Sequence, residues 1–271
     1  MIPINKDTKF CISISEKSGN FGTTLHNSLY KELNLDFIYK SFSIKNIRDA
    51  IIAVRTLNIK GCSVSMPFKE DVIYYLDEID ELSKSIGAVN TIVNNDGKLK
   101  GYNTDVYGAI ESIKYSKVKK TDSIFMLGSG GAAKAYLFAL KKLGIKKITL
   151  ANRTKIRLKK LEKISKFDIV DWKNRGNFNA DVLINATSVG MYPYLDKMEF
   201  KKDNILNSKI VIDVVVNPLK SKLIVEAEKL QKKTCPGYVM SMYQAKRQFK
   251  LYTGVNPSLS LIERKMKMLL K

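Results

Sequence analysis

The chain has 271 residues, 45% of them hydrophobic, with 47 Lys and Arg against 26 Asp and Glu, a formal net charge of +21. That length and apolar content predict a soluble globular protein of two domains and exclude a disordered chain. The positive charge is mostly Lys, scattered in pairs such as Lys119-Lys120 and Lys232-Lys233 without a basic tail or an Arg-aromatic array, so a solvated lysine-biased surface is expected and no nucleic-acid partner.

The first residues, Met1-Ile-Pro-Ile-Asn-Lys-Asp7, carry no apolar h-region, and the apolar stretch Ile210 to Val216 is short and interrupted by Asp213. Neither secretion nor membrane spanning is therefore expected. Cys11, Cys62 and Cys235 are odd in number and far apart, and with the single His26 they lack metal-ligand spacing, which points to a reducing cytoplasm and no metal site. Lys9 to Ile14 reads as a strand. Asn20-Phe-Gly-Thr-Thr24 offers a cap for a helix from about Leu25 to Leu33, and Asp36 to Ser41 is the next strand. Ile44, Ile47, Ile51, Val54 and Leu57 keep one apolar face on a helix, which Gly61 closes after a short connection; Cys62 to Ser65 then reads as a buried strand. This alternation is a parallel α/β unit.

Polar Ser65 and Lys69 follow the end of that strand, where ligands of open α/β sheets collect. Asn94-Asn-Asp-Gly97 is a hairpin turn between Thr91–Val93 and Lys98–Tyr102. Asp105 opens a helix to about Ile113 that leads, through a polar linker from Ser116 to Asp122, into Ser123-Ile-Phe-Met-Leu-Gly-Ser-Gly-Gly-Ala-Ala-Lys134. That stretch reads as strand, phosphate turn and helix. Gly128, Gly130 and Ala133 fit G-x-G-x-x-[G/A], in which the glycines permit a tight turn and close approach of a pyrophosphate to the helix N-terminus. The next strand, from Lys147, ends in Asn152-Arg-Thr154, where an NAD site usually has Asp or Glu; a guanidinium able to grip a 2′-phosphate and no carboxylate to repel it point to NADP. Arg153 as a solvated loop charge is the bland alternative. Later strands are Val182 to Asn185 and Lys209 to Val216, followed by helices over Ser221–Lys232, Val239–Leu251 and Leu259–Leu270.

With Val64-Ser-Met-Pro-Phe-Lys69, Gly87-Ala-Val-Asn-Thr91, Gly101-Tyr-Asn-Thr-Asp105, Gly128-Ser-Gly-Gly-Ala-Ala133, Asn152-Arg-Thr154, Asn185-Ala-Thr187 and Gln244 in this order, the chain resembles the shikimate dehydrogenases, in particular their divergent shikimate dehydrogenase-like branch. The resemblance implies an α/β fold of two domains: a substrate domain at 1–105, a Rossmann NADP domain at 106–237, and C-terminal helices at 238–271 that complete the substrate domain. It implies a cytoplasmic monomer or homodimer that reversibly oxidises shikimate to 3-dehydroshikimate with NADP, in the route to chorismate and the aromatic amino acids. By the same resemblance Lys69 and Asp105 are the catalytic pair, and Asn90, Gln244 and Ser65 bind substrate. Gly128, Ser129, Gly130, Gly131, Ala132 and Ala133 form the phosphate turn, Asn152, Arg153 and Thr154 hold the adenosine end, and Thr187 lies on the nicotinamide side. An ammonium beside a carboxylate can exchange a proton with an oxygen that passes between hydroxyl and ketone; from spacing alone Lys69 and Asp105 read rather as a salt bridge, and the resemblance reverses that. Amides suit a polyol because each donates and accepts; without the resemblance, Asn90 and Gln244 read rather as capping or loop residues.

Two departures bear on the substrate. Counting back from His26-Asn27, Asn20 and Gly22 stand where the family has its carboxylate-binding Ser-x-Ser pair, so Asn20 becomes a candidate there, with Ser18, Thr23 and Thr24 nearby. Val216 stands where the family has a substrate-facing Tyr. Quinate or a related cyclic polyol acid is therefore an alternative substrate, and an NADP-sensing protein without turnover an alternative function. His26 itself reads as a helix-packing residue, and the Tyr115/Lys119 spacing as an accidental match to short-chain dehydrogenases.

Overall fold

The structure, a computed structural model, describes residues 3–159 and 161–270. The chain divides into two compact units, one running through Thr104 and resuming at Ala245–Leu269, the other centred on Asp105–Gln244. Among the described residues no helix is long and apolar enough to cross a membrane.

In the first unit β1 (Lys9–Ser15), β2 (Phe37–Ser43) and β3 (Gly61–Val64) are parallel and alternate with α1 (Phe21–Glu32) and α2 (Ile47–Thr56). β4 (Glu78–Ile79), β5 (Thr91–Asn95) and β6 (Lys98–Tyr102) extend the sheet to the order β2-β1-β3-β5-β6-β4. The parallel unit expected for the first three strands is present; beyond it β5 runs antiparallel to β3, and the expected hairpin through Asp96-Gly97 returns β6 along it. The start of β5 and the end of β6 thus lie beside the carboxyl end of β3. One sheet face buries Ile12, Ile14, Cys62 and Val64 against Ile47, Ile51 and Val54 of α2. The other face carries Cys11, Ser13 and Ser15, since side chains alternate along a strand.

Three local expectations are corrected. α1 begins at Phe21, four residues before Leu25; Asn20 holds the cap position, but its side chain makes no bond to the helix. α2 ends at Thr56, and Leu57 is 69% exposed, so the apolar stripe is shorter than its spacing suggests. Gly61 does not close that helix. It opens β3, where a Cβ would stand 2.3 Å from the Tyr252 ring, so packing rather than a cap requires glycine. The short α3 (Glu81–Ile86), capped by Asp80 through the Ser83 amide, had no apolar period to reveal it.

The second unit opens with α4 (Thr104–Tyr115) and builds an all-parallel sheet from β7 (Ile124–Leu127), β8 (Ile148–Ala151), β9 (Asp168–Ile169), β10 (Val182–Asn185), β11 (Ile210–Asp213) and β12 (Lys233–Cys235). The helices α5 (Gly131–Lys142), α6 (Ile156–Lys159), α7 (Lys202–Leu206) and α8 (Lys222–Lys229) connect them. The order β12-β11-β10-β7-β8-β9 reverses direction at β7, the doubly wound dinucleotide-binding arrangement with its switch point beside the glycine turn. Every residue of β7, β8, β10 and β11 is buried, which is why these strands read as unbroken apolar runs. β11 stops at Asp213 rather than Val216. α9 (Gly237–Thr253) and α10 (Leu259–Leu269) end the chain; α10 is tied to α1 through Glu32, which accepts from Arg264 and Lys265 at 2.8 Å each.

Candidate functional site

In the second unit the turn after β7 is shaped for an anion. Gly128 has φ +116°, and a Cβ on it would stand 2.4 Å from the Ala186 carbonyl oxygen, so only glycine fits. Gly130 caps α5 and Gly131 opens it, and a Cβ on either would meet no atom within 4 Å. The first turn of α5 carries no acidic residue and its cap makes no side-chain bond, leaving amides and the positive end of the helix dipole facing open space. Half-buried Ser129 and Ala132 line this turn, and buried Ala133 packs the helix onto the sheet.

At the end of β8 Asn152 donates to the Thr154 carbonyl at 2.9 Å, and Thr154 is exposed. Arg153, also exposed, makes no hydrogen bond or ion pair with the described residues, whereas Lys155 is held 3.3 Å from Asp171. Asn152, Arg153 and Lys155 border a groove of about 410 Å³ that Trp172 and Lys173 also line. Beyond β10, Asn185 donates to Asp213 at 2.9 Å and to the Val189 carbonyl at 3.1 Å, and accepts from the Thr187 hydroxyl at 2.6 Å. The Thr187 hydroxyl also accepts from the Val189 amide at 3.2 Å, so it is turned inward to shape the loop. Burial pushes the Asp213 carboxyl up to about 6, while donors including Ser221, the Val215 amide and Asn185 oppose the rise. Val216, in the place of the family's Tyr, is half-buried.

In the first unit the centre is Asn90, 2% exposed. Its backbone bridges two strand ends: the amide donates to the Tyr102 carbonyl at 3.0 Å, and the carbonyl accepts from the Val64 amide at 2.9 Å. Its Oδ1 accepts from the Thr104 amide at 2.8 Å and from the Thr91 hydroxyl at 2.9 Å. Nδ2 has no partner among the described residues, so the amide turns its two protons away from the network. Behind it runs a buried chain. Gln248 donates to the Thr91 hydroxyl at 2.9 Å and pairs through Oε1 with His26 Nε2 at 3.2 Å. Burial lowers His26 to about 4, so at neutral pH the ring is uncharged and Nε2–H donates to Gln248. The same ring stacks on Tyr39 at 4.5 Å, in keeping with a packing role.

Ser65 lies at the end of β3, exposed, its amide continuing the ladder to the Ile14 carbonyl at 2.9 Å. Half-buried Lys69 follows, its carbonyl accepting from the Val89 amide at 2.8 Å. Asp105 is the second residue of α4, immediately after Thr104, and half-buried Gln244 stands one turn before Gln248 on α9. Asn20 is exposed, its carbonyl accepting from both the amide and the hydroxyl of Thr24 at 3.0 Å. Thr104 and Gln248 escaped sequence reasoning because they bond residues 14 and 157 positions away, and Thr91, although next to Asn90, is joined to Gln248 only by the fold. The four-residue spacing of Gln244 and Gln248 was the only available signal.

A family model described as the shikimate dehydrogenase substrate binding domain matches residues 21–92. The chain is 41% identical over 261 residues to the shikimate dehydrogenase-like protein of Haemophilus influenzae, covering 96% of each. It is 38% identical over 257 residues to the shikimate dehydrogenase (NADP(+)) of Methanosphaera stadtmanae, covering 90% of this chain and 91% of that one. Shikimate 5-dehydrogenase of Listeria monocytogenes, solved in complex with shikimate and NAD, is similar in fold with a TM-score of 0.89 at 28% identity, covering 97% of this chain and 98% of that one. Sequence likeness on this scale, spanning both units, agrees with the doubly wound sheet and the amide-centred strand ends: the chain belongs to the shikimate dehydrogenase family.

Proposed function

We propose that the protein is an NADP-dependent shikimate dehydrogenase that moves a hydride reversibly between shikimate and 3-dehydroshikimate. The observation that carries this reading is the buried Asn90 amide, whose oxygen is consumed by the fold and whose two protons remain for a ligand beside Ser65 and Lys69. Such a group suits a ring hydroxyl, and Gln244 is assigned the same task. Lys69 exchanges the proton of the reacting oxygen and stabilises its alkoxide character, with Asp105 as its carboxylate partner. Ser65 and Asn20 complete the substrate set.

The residues of the second unit fit a dinucleotide. The turn from Gly128 to Ala133 receives the pyrophosphate, Asn152, Arg153 and Thr154 receive the adenosine 2′-phosphate, and the loop at Thr187 borders the nicotinamide through its backbone. When bound, NADP supplies the hydride acceptor. The unengaged Arg153 favours NADP over NAD. Because Gly22 and Val216 leave the substrate end altered, quinate or another cyclic polyol acid is the second reading.

The test is steady-state NADPH formation from shikimate and NADP, followed by absorbance, with quinate and NAD in parallel. Preferred turnover of shikimate with NADP is expected. Tight NADPH binding with no turnover of either acid would make the protein a sensor instead.

A further inference from the structure

Three Ser-x-Ser pairs, Ser13 and Ser15, Ser41 and Ser43, Ser63 and Ser65, fall on or at the end of three adjacent parallel strands. The register aligns them. Ser13 stands opposite both Ser41 and Ser63, Ser15 stands opposite Ser43, and the Ser65 amide carries the ladder one step past β3. Since alternate residues share a face, the six hydroxyls form two rows across one face of the sheet at its carboxyl edge.

The rows differ in how they are used. In the inner row Ser13 donates to Ser41 at 2.8 Å, and Ser41 pairs with Thr23 of α1 at 2.7 Å, so its hydroxyls serve the fold. In the outer row Ser43 accepts from the Ser18 amide at 3.1 Å and shares one hydroxyl bond with Ser18 at 3.0 Å, leaving one proton of that pair uncommitted. Ser15 is 8% exposed, and its hydroxyl has no partner among the described residues. The hydroxyl is not among the fully buried unpaired side-chain atoms, so it reaches open space at the sheet edge and is available to a ligand.

Resting on the dehydrogenase reading above, we propose that the Ser15 hydroxyl, with the Ser18–Ser43 pair beside it, receives the substrate carboxylate in place of the missing pair at Asn20 and Gly22. The strand order supports this. Asn90 precedes β5 and Ser15 ends β1, with β3 between them, so at about 4.8 Å per strand they lie roughly 10 Å apart. A six-membered ring with a hydroxyl at one end and a carboxylate at the other spans that distance once hydrogen bonds are added. A carboxylate supplies acceptors only, matching a row that offers protons.

The experiment compares shikimate with its methyl ester, by turnover and by calorimetric binding, in wild type, Ser15→Ala and Ser15→Thr. Loss of a hydrogen bond to a charged group predicts that Ser15→Ala raises KM and Kd for the acid about tenfold, leaves the ester within about twofold and spares kcat, with Ser15→Thr retaining most of the affinity. An equal change for acid and ester, or none for either, overturns the assignment. Wild type that binds shikimate without turning it over sinks the dehydrogenase reading alone, because the Kd comparison still decides the role of Ser15. Wild type that binds no shikimate overturns both.

Discussion

The candidate sites of the two units are built by opposite means. In the second, the phosphate turn is mainly backbone: Gly128, Gly130 and Gly131 offer amides and empty space, Ser129 is the one hydroxyl within the turn, and the hydroxyl of Thr187 is turned into its own loop. In the first, the corresponding edge is side chain throughout, with the Asn90 amide oriented by Thr91, Thr104, Gln248 and His26 and two rows of serines beside it. A backbone site tolerates almost any side chain that stays out of the way, whereas an oriented amide depends on every member of its chain. Cofactor binding should therefore fail through bulk or lost charge, and substrate handling through single polar atoms.

The largest effect should fall on the substrate side. Lys69→Ala is expected to lower kcat by about 10³, the middle of the range for a positioned proton-exchanging group, while calorimetric NADPH affinity stays unchanged. Loss of NADPH affinity together with activity would show that the two sites are not separable in this way. On the cofactor side Arg153→Ala should weaken NADP about a hundredfold, the worth of a bidentate contact to a phosphate, and leave NAD unaltered. Parallel losses for both dinucleotides would remove Arg153 from the 2′-phosphate.

Asp213 brings a side-chain network into the backbone unit and so tests the contrast from within. Its carboxyl, 1% exposed, is raised by burial from 3.8 to about 6. A group that holds its proton more tightly when folded contributes its stability in full below about pH 4 and loses it as pH rises through about 6. Between about pH 4.5 and pH 7.5 that loss amounts to about 2 kcal/mol. Urea midpoints should therefore show Asp213→Asn gaining on wild type by this amount over the interval, whatever constant offset Asn introduces. A difference that does not change with pH would mean Asp213 is ionised throughout.

Legibility in the sequence follows the same division. β10 was readable to the residue because a strand buried on both faces is a bare apolar run between polar ends, and the glycine turn was readable because its geometry demands glycine. β9, β12, α6 and α7 were not, being too short for any period to accumulate. Leu57 and Gly61 misled because both continue a local pattern that tertiary structure overrides, one by ending α2 early and the other by packing against Tyr252. In the candidate substrate site, Ser65, Lys69 and Asn90 stood near strand ends and could be singled out. The groups that orient Asn90 could not, since Gln248 meets Thr91 across 157 positions and His26 across 222, separations that no local pattern encodes.

The smallest expected effect is the sharpest test of the contrast. Gly130 has φ −82° and ψ −169°, a backbone any residue adopts, and a Cβ there meets no atom of the protein within 4 Å. Gly130→Ala should consequently fold at least as well as wild type, with a gain of about 0.4–1 kcal/mol from the restricted unfolded chain. The added methyl would occupy the space through which a pyrophosphate approaches the α5 amides, so NADPH affinity should fall about tenfold while the shikimate Kd stays fixed. Stability and affinity then move in opposite directions, which general damage to the fold cannot produce. Retained NADPH affinity in a stabilised Gly130→Ala would mean that the phosphates do not use this turn, and the division between a backbone site and a side-chain site would lose its first half.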